Sequence, residues 1–172
     1  MADDIITEEQ LAKTEVSLTC SVRPIANVMC DLSAILANSV DELLRAFYPA
    51  KVGKRANILI TELVNNVLEN MLVPESEIKL EVALRDQQLV IRVYNAVPEE
   101  RYAQVKAHVD AINEAPDVRK LLKATIRARR AQRAKGGLGL IRVVAENKFR
   151  ITTDYQGGTL CVESVLSLGD MP

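Results

Sequence analysis

Within nine residues, 62–70, the chain reads ELVNNVLEN on what is otherwise an apolar helix. Glu62, Asn66 and Asn70 stand at i, i+4 and i+8, so a helix points all three the same way. A carboxylate there can accept a proton, and a carboxamide oxygen is a hard acceptor that can also ligate a hard cation. Asn65 and Glu69 read as the solvated part of the same helix. A second candidate is KGGLGLIRVV, where Gly136, Gly137 and Gly139 precede a helix. Glycines let the backbone come close to a ligand, and a helix start offers unpaired N–H groups to an anion. Taken alone, the same run is equally a tight turn with close packing. Between 119 and 135 there are eight Lys or Arg, and no acid follows Asp117 in that stretch. A solvated face, contact with a triphosphate or an acidic partner, and nucleic-acid binding all remain open for it. Arg133 and Lys135 lie nearest the glycines and are the phosphate candidates of the run. The one histidine, His108, falls on the polar side of its helix and reads as a surface residue.

The elements that position these groups follow from periodicity. TEVSLTCSV (14–22) alternates as a half-buried strand. After Pro24, apolar residues at 25, 28, 29, 32, 35 and 36 keep helical spacing, and Ser39-Val-Asp-Glu42 resembles a capping box that restarts a short helix. Residues 49–53 read as a connector. From Lys54 to Met71 the apolar positions make one broad helical stripe, ended by Val73-Pro74. Alternating runs at 78–84 and 89–94, separated by Arg85 to Gln88, form a hairpin. Helices follow at 99–113 and from Asp117, which can cap the second. A short helix runs from the glycines to about Asn147. Strands at 149–154 and 159–167 meet at Tyr155-Gln-Gly-Gly158. The pattern predicts a two-layer α/β sandwich, with a mixed, mostly antiparallel sheet and helices on one face. Residues 1–13 read as a flexible acidic arm, and 14–168 as one domain with a basic helical insert at 99–135.

Composition removes several function classes. A length of 172 residues with 48% hydrophobic and 26% charged residues supports a packed core rather than disorder. A net charge of −1 gives no bulk attraction to nucleic acid or to an anionic membrane. The three cysteines are widely spaced, which argues against a disulfide framework or a zinc site and for a reducing, cytoplasmic setting. Cys20 and Cys161 read as small core residues of strands. One histidine excludes a multi-histidine metal centre. No run of 18 apolar residues suggests a membrane span.

In order, ELVNNVLEN, GGLGL and GGT (157–159) resemble the boxes of the histidine-kinase-like ATPase (GHKL) superfamily, and most of all the bacterial anti-sigma-factor serine kinases. The resemblance spans roughly 14–96 and 136–168. It implies Mg-ATP as ligand and protein serine/threonine phosphorylation as activity. Glu62 matches the general base, Asn66 the magnesium ligand, and Asn70 a neighbouring site position. Gly136, Gly137, Leu138, Gly139 and Leu140 match the phosphate-facing hinge, and Thr159 the hydroxyl near adenine. The departure is VIRVYNAVPEE (90–100): Asn95 stands where the family has an adenine-binding Asp, and Ala96-Val97-Pro98-Glu99 replaces its glycine turn. An uncharged acceptor is weaker than a charged one, so weak ATP binding is expected. The resemblance implies a protein partner, whether a sigma factor, an anti-sigma antagonist or a response regulator, and leaves a homodimer open. The alternative is a catalytically inactive member of the fold that acts as a protein-binding regulatory module.

Overall fold

The computed structural model describes residues 13–23, 31–71, 75–132 and 138–170. The acidic arm up to residue 12, the segment around Pro24, the Val73-Pro74 stop, and Arg133, Lys135, Gly136 and Gly137 lie outside them.

Five strands, β1 (Val16–Val22), β2 (Ile78–Arg85), β3 (Gln88–Ala96), β4 (Arg150–Gln156) and β5 (Thr159–Ser167), form one sheet in the order β1-β2-β3-β5-β4. Every neighbouring pair is antiparallel, so the sheet is wholly antiparallel rather than mixed. The helices are α1 (Leu32–Arg45), α2 (Ala50–Glu69), α3 (Glu99–Asn113), α4 (Val118–Gln132) and α5 (Gly139–Asn147). Together they make a two-layer α/β sandwich.

Alternation decides which face is covered. Ile78, Leu80, Val82 and Leu84 of β2 and Leu89, Ile91 and Val93 of β3 pack in one core with Leu59, Ile60, Leu63, Val64 and Val67 of α2. The opposite face carries a charged ladder. Arg92 donates to Glu163 at 2.6 Å and lies 3.9 Å from Glu81, with Arg92 directly opposite both acids in register. Tyr94 donates to Glu81 as well, at 2.8 Å. Lys79 adds a further ion pair, and hydrogen bonding to Lys79 holds the Glu81 carboxyl below its ordinary range. Cys161 lies on this ladder face opposite Tyr94, half-buried, and not in the core. Cys20 is likewise half-buried, but faces the core side opposite Leu80.

Two helix boundaries differ from the sequence reading. Ser39 does not restart a helix; its hydroxyl donates to the Ile35 carbonyl inside a continuous α1. The expected connector at 49–53 is the first turn of α2, which Pro49 enters with extended backbone. Gly53 is buried inside that turn because a Cβ there would meet the Asp41 side chain and its backbone oxygen (2.9 Å) on α1. Close packing, not a break, is the use of that glycine. The hairpin turn is Asp86-Gln87, both with positive φ (49° and 57°), the backbone that matches the twist of two-residue hairpins. Gly157-Gly158 makes the equivalent turn between β4 and β5.

The insert is a helical hairpin. Asp117 accepts from the Lys120 N–H at 3.0 Å and so caps α4. Val118, Leu121, Leu122 and Ile126 of α4 pack with Ile112 of α3 and with Ile141 and Ala145 of α5 in a second, smaller core. The insert is thereby held against the sandwich as a packed layer.

Candidate functional site

A cleft of ≈ 260 Å³ opens between α2, the core face of β3 and β5, the start of α5 and the insert. Its α2 wall is Glu62 and Asn66, one turn apart on the helix, with Asn70, the residue that caps the C-terminus of α2. Its floor is apolar, with Val93, Val97, Leu160 and Val162, and holds one polar residue, Asn95. The opposite wall is Arg101, Gln104 and His108 from α3 and Arg129 from α4. Gly139 and Leu140 close one end.

On the α2 wall the polar groups are linked to one another. Asn66 Nδ2 donates to Glu62 Oε1 at 3.1 Å, and Asn70 Nδ2 donates to the Asn66 carbonyl at 2.8 Å. The first bond uses the Asn66 amide nitrogen, and among the described residues no hydrogen bond uses its side-chain oxygen. The Glu62 carboxylate lies directly against Gly139, where any Cβ would overlap it. That residue starts α5, whose N-terminus has no side-chain cap, so the carboxylate sits at the positive end of the helix dipole. A side chain at position 139 would push the Glu62 carboxylate out of this place.

The floor is fixed from below. The Val97 N–H donates to Gly158, Tyr155 Oη donates to the Val97 carbonyl at 2.9 Å, and Tyr102 of α3 stacks on Tyr155 with ring centroids 4.7 Å apart. Val97 is therefore tied to the turn between β4 and β5 and to Tyr155, and the first turn of the insert is joined to it through Tyr102. Asn95 is only 7% exposed, and among the described residues no hydrogen bond uses its carboxamide. Its carboxamide atoms are not fully buried but open to the cleft, where water or a ligand can satisfy them.

On the insert wall His108 is half-buried and lines the cleft, which corrects the surface reading of that residue. Burial depresses its imidazole pKa, and the nearby Arg129 charge depresses it further.

Of the residues singled out in the sequence, Glu62, Asn66, Asn70, Asn95, Gly139 and Leu140 converge on this cleft. Leu138 does not line it; it packs into the smaller core. Thr159 is exposed at the start of β5, opposite Ala96, while its neighbour Leu160 lines the floor. Asn65 and Glu69 stay outside. Arg101 and Gln104 went unread because no motif marks them, although a 3–4 residue spacing puts them on one face of α3 with His108. Arg129 was visible only as one cation among eight.

Among the described residues no cluster of three or more His, Cys, Asp or Glu could hold a metal. The donor set at Asn66 fits a magnesium ion that takes most of its ligands from phosphate and water, as that ion commonly does.

The fold is shared with a solved structure. A chain in the crystal structure of the SiaB–SiaC complex from Pseudomonas aeruginosa superposes with a TM-score of 0.62 at 17% identity, covering 87% of this chain and 89% of that one. No protein-family profile matches the sequence. No curated protein matches it. Among the described residues no helix is long and apolar enough to cross a membrane.

Proposed function

We propose that this chain is a Mg-ATP-binding regulatory protein of the histidine-kinase-like (GHKL) type, which acts on a protein partner by phosphorylating or sequestering it. The observation that carries this reading is the convergence of Glu62 and Asn66 of α2, Asn95 of β3 and Gly139 of α5, three separate elements, on one cleft. Bound magnesium would supply charge neutralisation at the phosphates. Asn66 would ligate it through its free oxygen, and Glu62 would orient or deprotonate an acceptor hydroxyl. Asn95 would accept from the adenine amino group on an otherwise apolar floor. The likeness to a chain from a two-protein complex supports a protein as the partner.

A second reading has its own observation. The Asn95–Pro98 segment is uncharged, and its Val97 is tied to Gly158 and Tyr155, so it lacks both the acid and the glycine turn of the family's adenine box. That favours a quiet binding module, which would keep the fold and sequester its partner without phosphoryl transfer.

Titration calorimetry with Mg-ATP separates the two. Under the first reading the wild type binds in the millimolar range or tighter. Asn66→Ala weakens the magnesium-dependent part, Glu62→Ala spares binding but stops transfer, and Asn95→Asp tightens binding. Absence of any heat at millimolar Mg-ATP, with a candidate partner also present, ends the ATP reading.

A further inference from the structure

The residues of the α2 wall account for a metal and a base, but they bring negative charge, not positive, to the cleft. The insert wall brings the opposite. Among the charged groups that line the cleft, Glu62 comes from α2, Arg101 from α3 and Arg129 from α4. The strands and α5 contribute none: their lining residues are Val93, Asn95, Val97, Leu160, Val162, Gly139 and Leu140. Arg150 and Asp154 of β4, Arg142 and Glu146 of α5, and Lys123, Arg127 and Arg130 of α4 are exposed. Lys106 and Asp110, on the same helix as His108, pair with each other at 2.5 Å. His108 is thus left beside Arg129, inside the cleft, with the Glu62 carboxylate already seated against Gly139 and hydrogen-bonded by Asn66.

Resting on the reading of the cleft as a nucleotide site, we propose that Arg129 and His108 form an anion clamp that holds the phosphate end of the ligand, His108 taking up a proton as the anion arrives. The physical logic is charge balance. In the free protein a second cation beside Arg129 is unfavourable, and burial and Arg129 together keep the imidazole pKa low. An anion between the two groups reverses the local field, so the charged imidazolium becomes the favoured form and donates a charge-assisted bond. The insert then supplies the phosphate contacts from its own helices. Specificity follows: the clamp selects polyphosphate over an uncharged nucleoside.

His108 is the sole histidine of the chain, so its imidazole proton resonance reports the clamp without assignment. The experiment titrates that resonance against pH in the free protein and with inorganic tripolyphosphate, adenosine or Mg-ATP, with calorimetry in parallel. The free midpoint is expected below the ordinary histidine value of about 6.5. Tripolyphosphate and Mg-ATP are expected to raise it, and adenosine to leave it in place. Arg129→Ala should raise the free midpoint and weaken tripolyphosphate by about tenfold or more, with Arg129→Lys partly restoring it. In His108→Gln the affinity for tripolyphosphate should gain less on acidification than in wild type, a comparison in which the ligand's own titration cancels. If Mg-ATP binds while the His108 resonance keeps its midpoint, the clamp is overturned and the nucleotide reading stands. If tripolyphosphate moves the resonance but Mg-ATP binds no better than tripolyphosphate and adenosine not at all, the nucleotide reading fails and the clamp stands. If no probe binds, both are overturned.

Discussion

The two walls of the cleft are built by different means. Along α2, Glu62 and Asn66 share one helix and Asn70 caps it, so their geometry is set by neighbouring positions in the chain and reinforced by bonds within the row. The insert wall gathers residues from two helices, and its geometry depends on packing: the small core of Ile112, Leu122, Ile141 and Ala145, and the Tyr102–Tyr155 stack. The first wall is local in sequence and rigid by construction. The second is only as well placed as the contacts beneath it, so substitutions far from the cleft should reach the insert wall and spare the other.

The largest expected effect tests the contact that joins α2 to α5. Gly139→Ala forces a methyl group into the Glu62 carboxylate. The carboxylate is the end of a flexible side chain and can swing aside at a cost of about 0.5–1.5 kcal/mol for an off-rotamer torsion, so the main loss falls on the proposed base. Thermal unfolding should show that cost, and Glu62→Ala in the same chain should recover most of it. Independent, additive losses in the double variant would mean that the two residues do not share the space.

A smaller effect is expected on the floor. Asn95→Val replaces a carboxamide that opens to the cleft by an apolar side chain among Val93, Val97 and Leu160. The free protein should keep its stability within about 0.5 kcal/mol in denaturant unfolding, while any adenine-dependent binding disappears. A destabilised Asn95→Val would show that the amide already has a structural role, and would remove it from the candidate site.

These cases also mark what could be read in advance. The strand order of polar and apolar residues fixed both hairpins, because a period of two with one buried face leaves only one register. The α2 row was legible for a similar reason: three polar residues at four-residue spacing must share a side. Boundaries at Ser39 and Pro49 were misread because a capping-box pattern and a glycine have two uses each. Ser39 bonds backward to Ile35 inside its own helix, a local alternative to capping, whereas Gly53 admits Asp41 of α1, a tertiary outcome. His108 was misread for a deeper reason. Polarity along α3 indicates which side avoids the apolar core, but a cleft wall is also polar, and only the position of α4 distinguishes cleft from solvent. The neighbour that matters to His108, Arg129, lies in the next helix.

The next effect down isolates the insert. Tyr155→Phe deletes the bond to the Val97 carbonyl but keeps the ring stacked on Tyr102, so about 0.5–1.5 kcal/mol should be lost. Ligand binding through the insert wall should weaken, while the Glu62–Asn66 pair stays in place. Equal damage to both walls would contradict the separation drawn between them.

The smallest effect is a pH dependence, and its sign follows from the depressed His108 pKa. The folded protein binds the imidazole proton less readily than the unfolded chain does. Above the unfolded value of about 6.5 the histidine is neutral in both states and makes no demand. As pH falls through that value the unfolded chain takes up the proton first, and stability is lost until the folded pKa has also been passed. Denaturant midpoints should therefore decline between neutral pH and the onset of carboxylate titration, and His108→Gln should flatten that decline. Arg129→Ala should flatten it in part, because burial, the larger cause, remains. A saturating polyphosphate that occupies the clamp should remove the decline or invert it, since the bound state then prefers the charged imidazole. No substitution on α2 should alter this slope, and that asymmetry would confirm that the two walls answer to different chemistry.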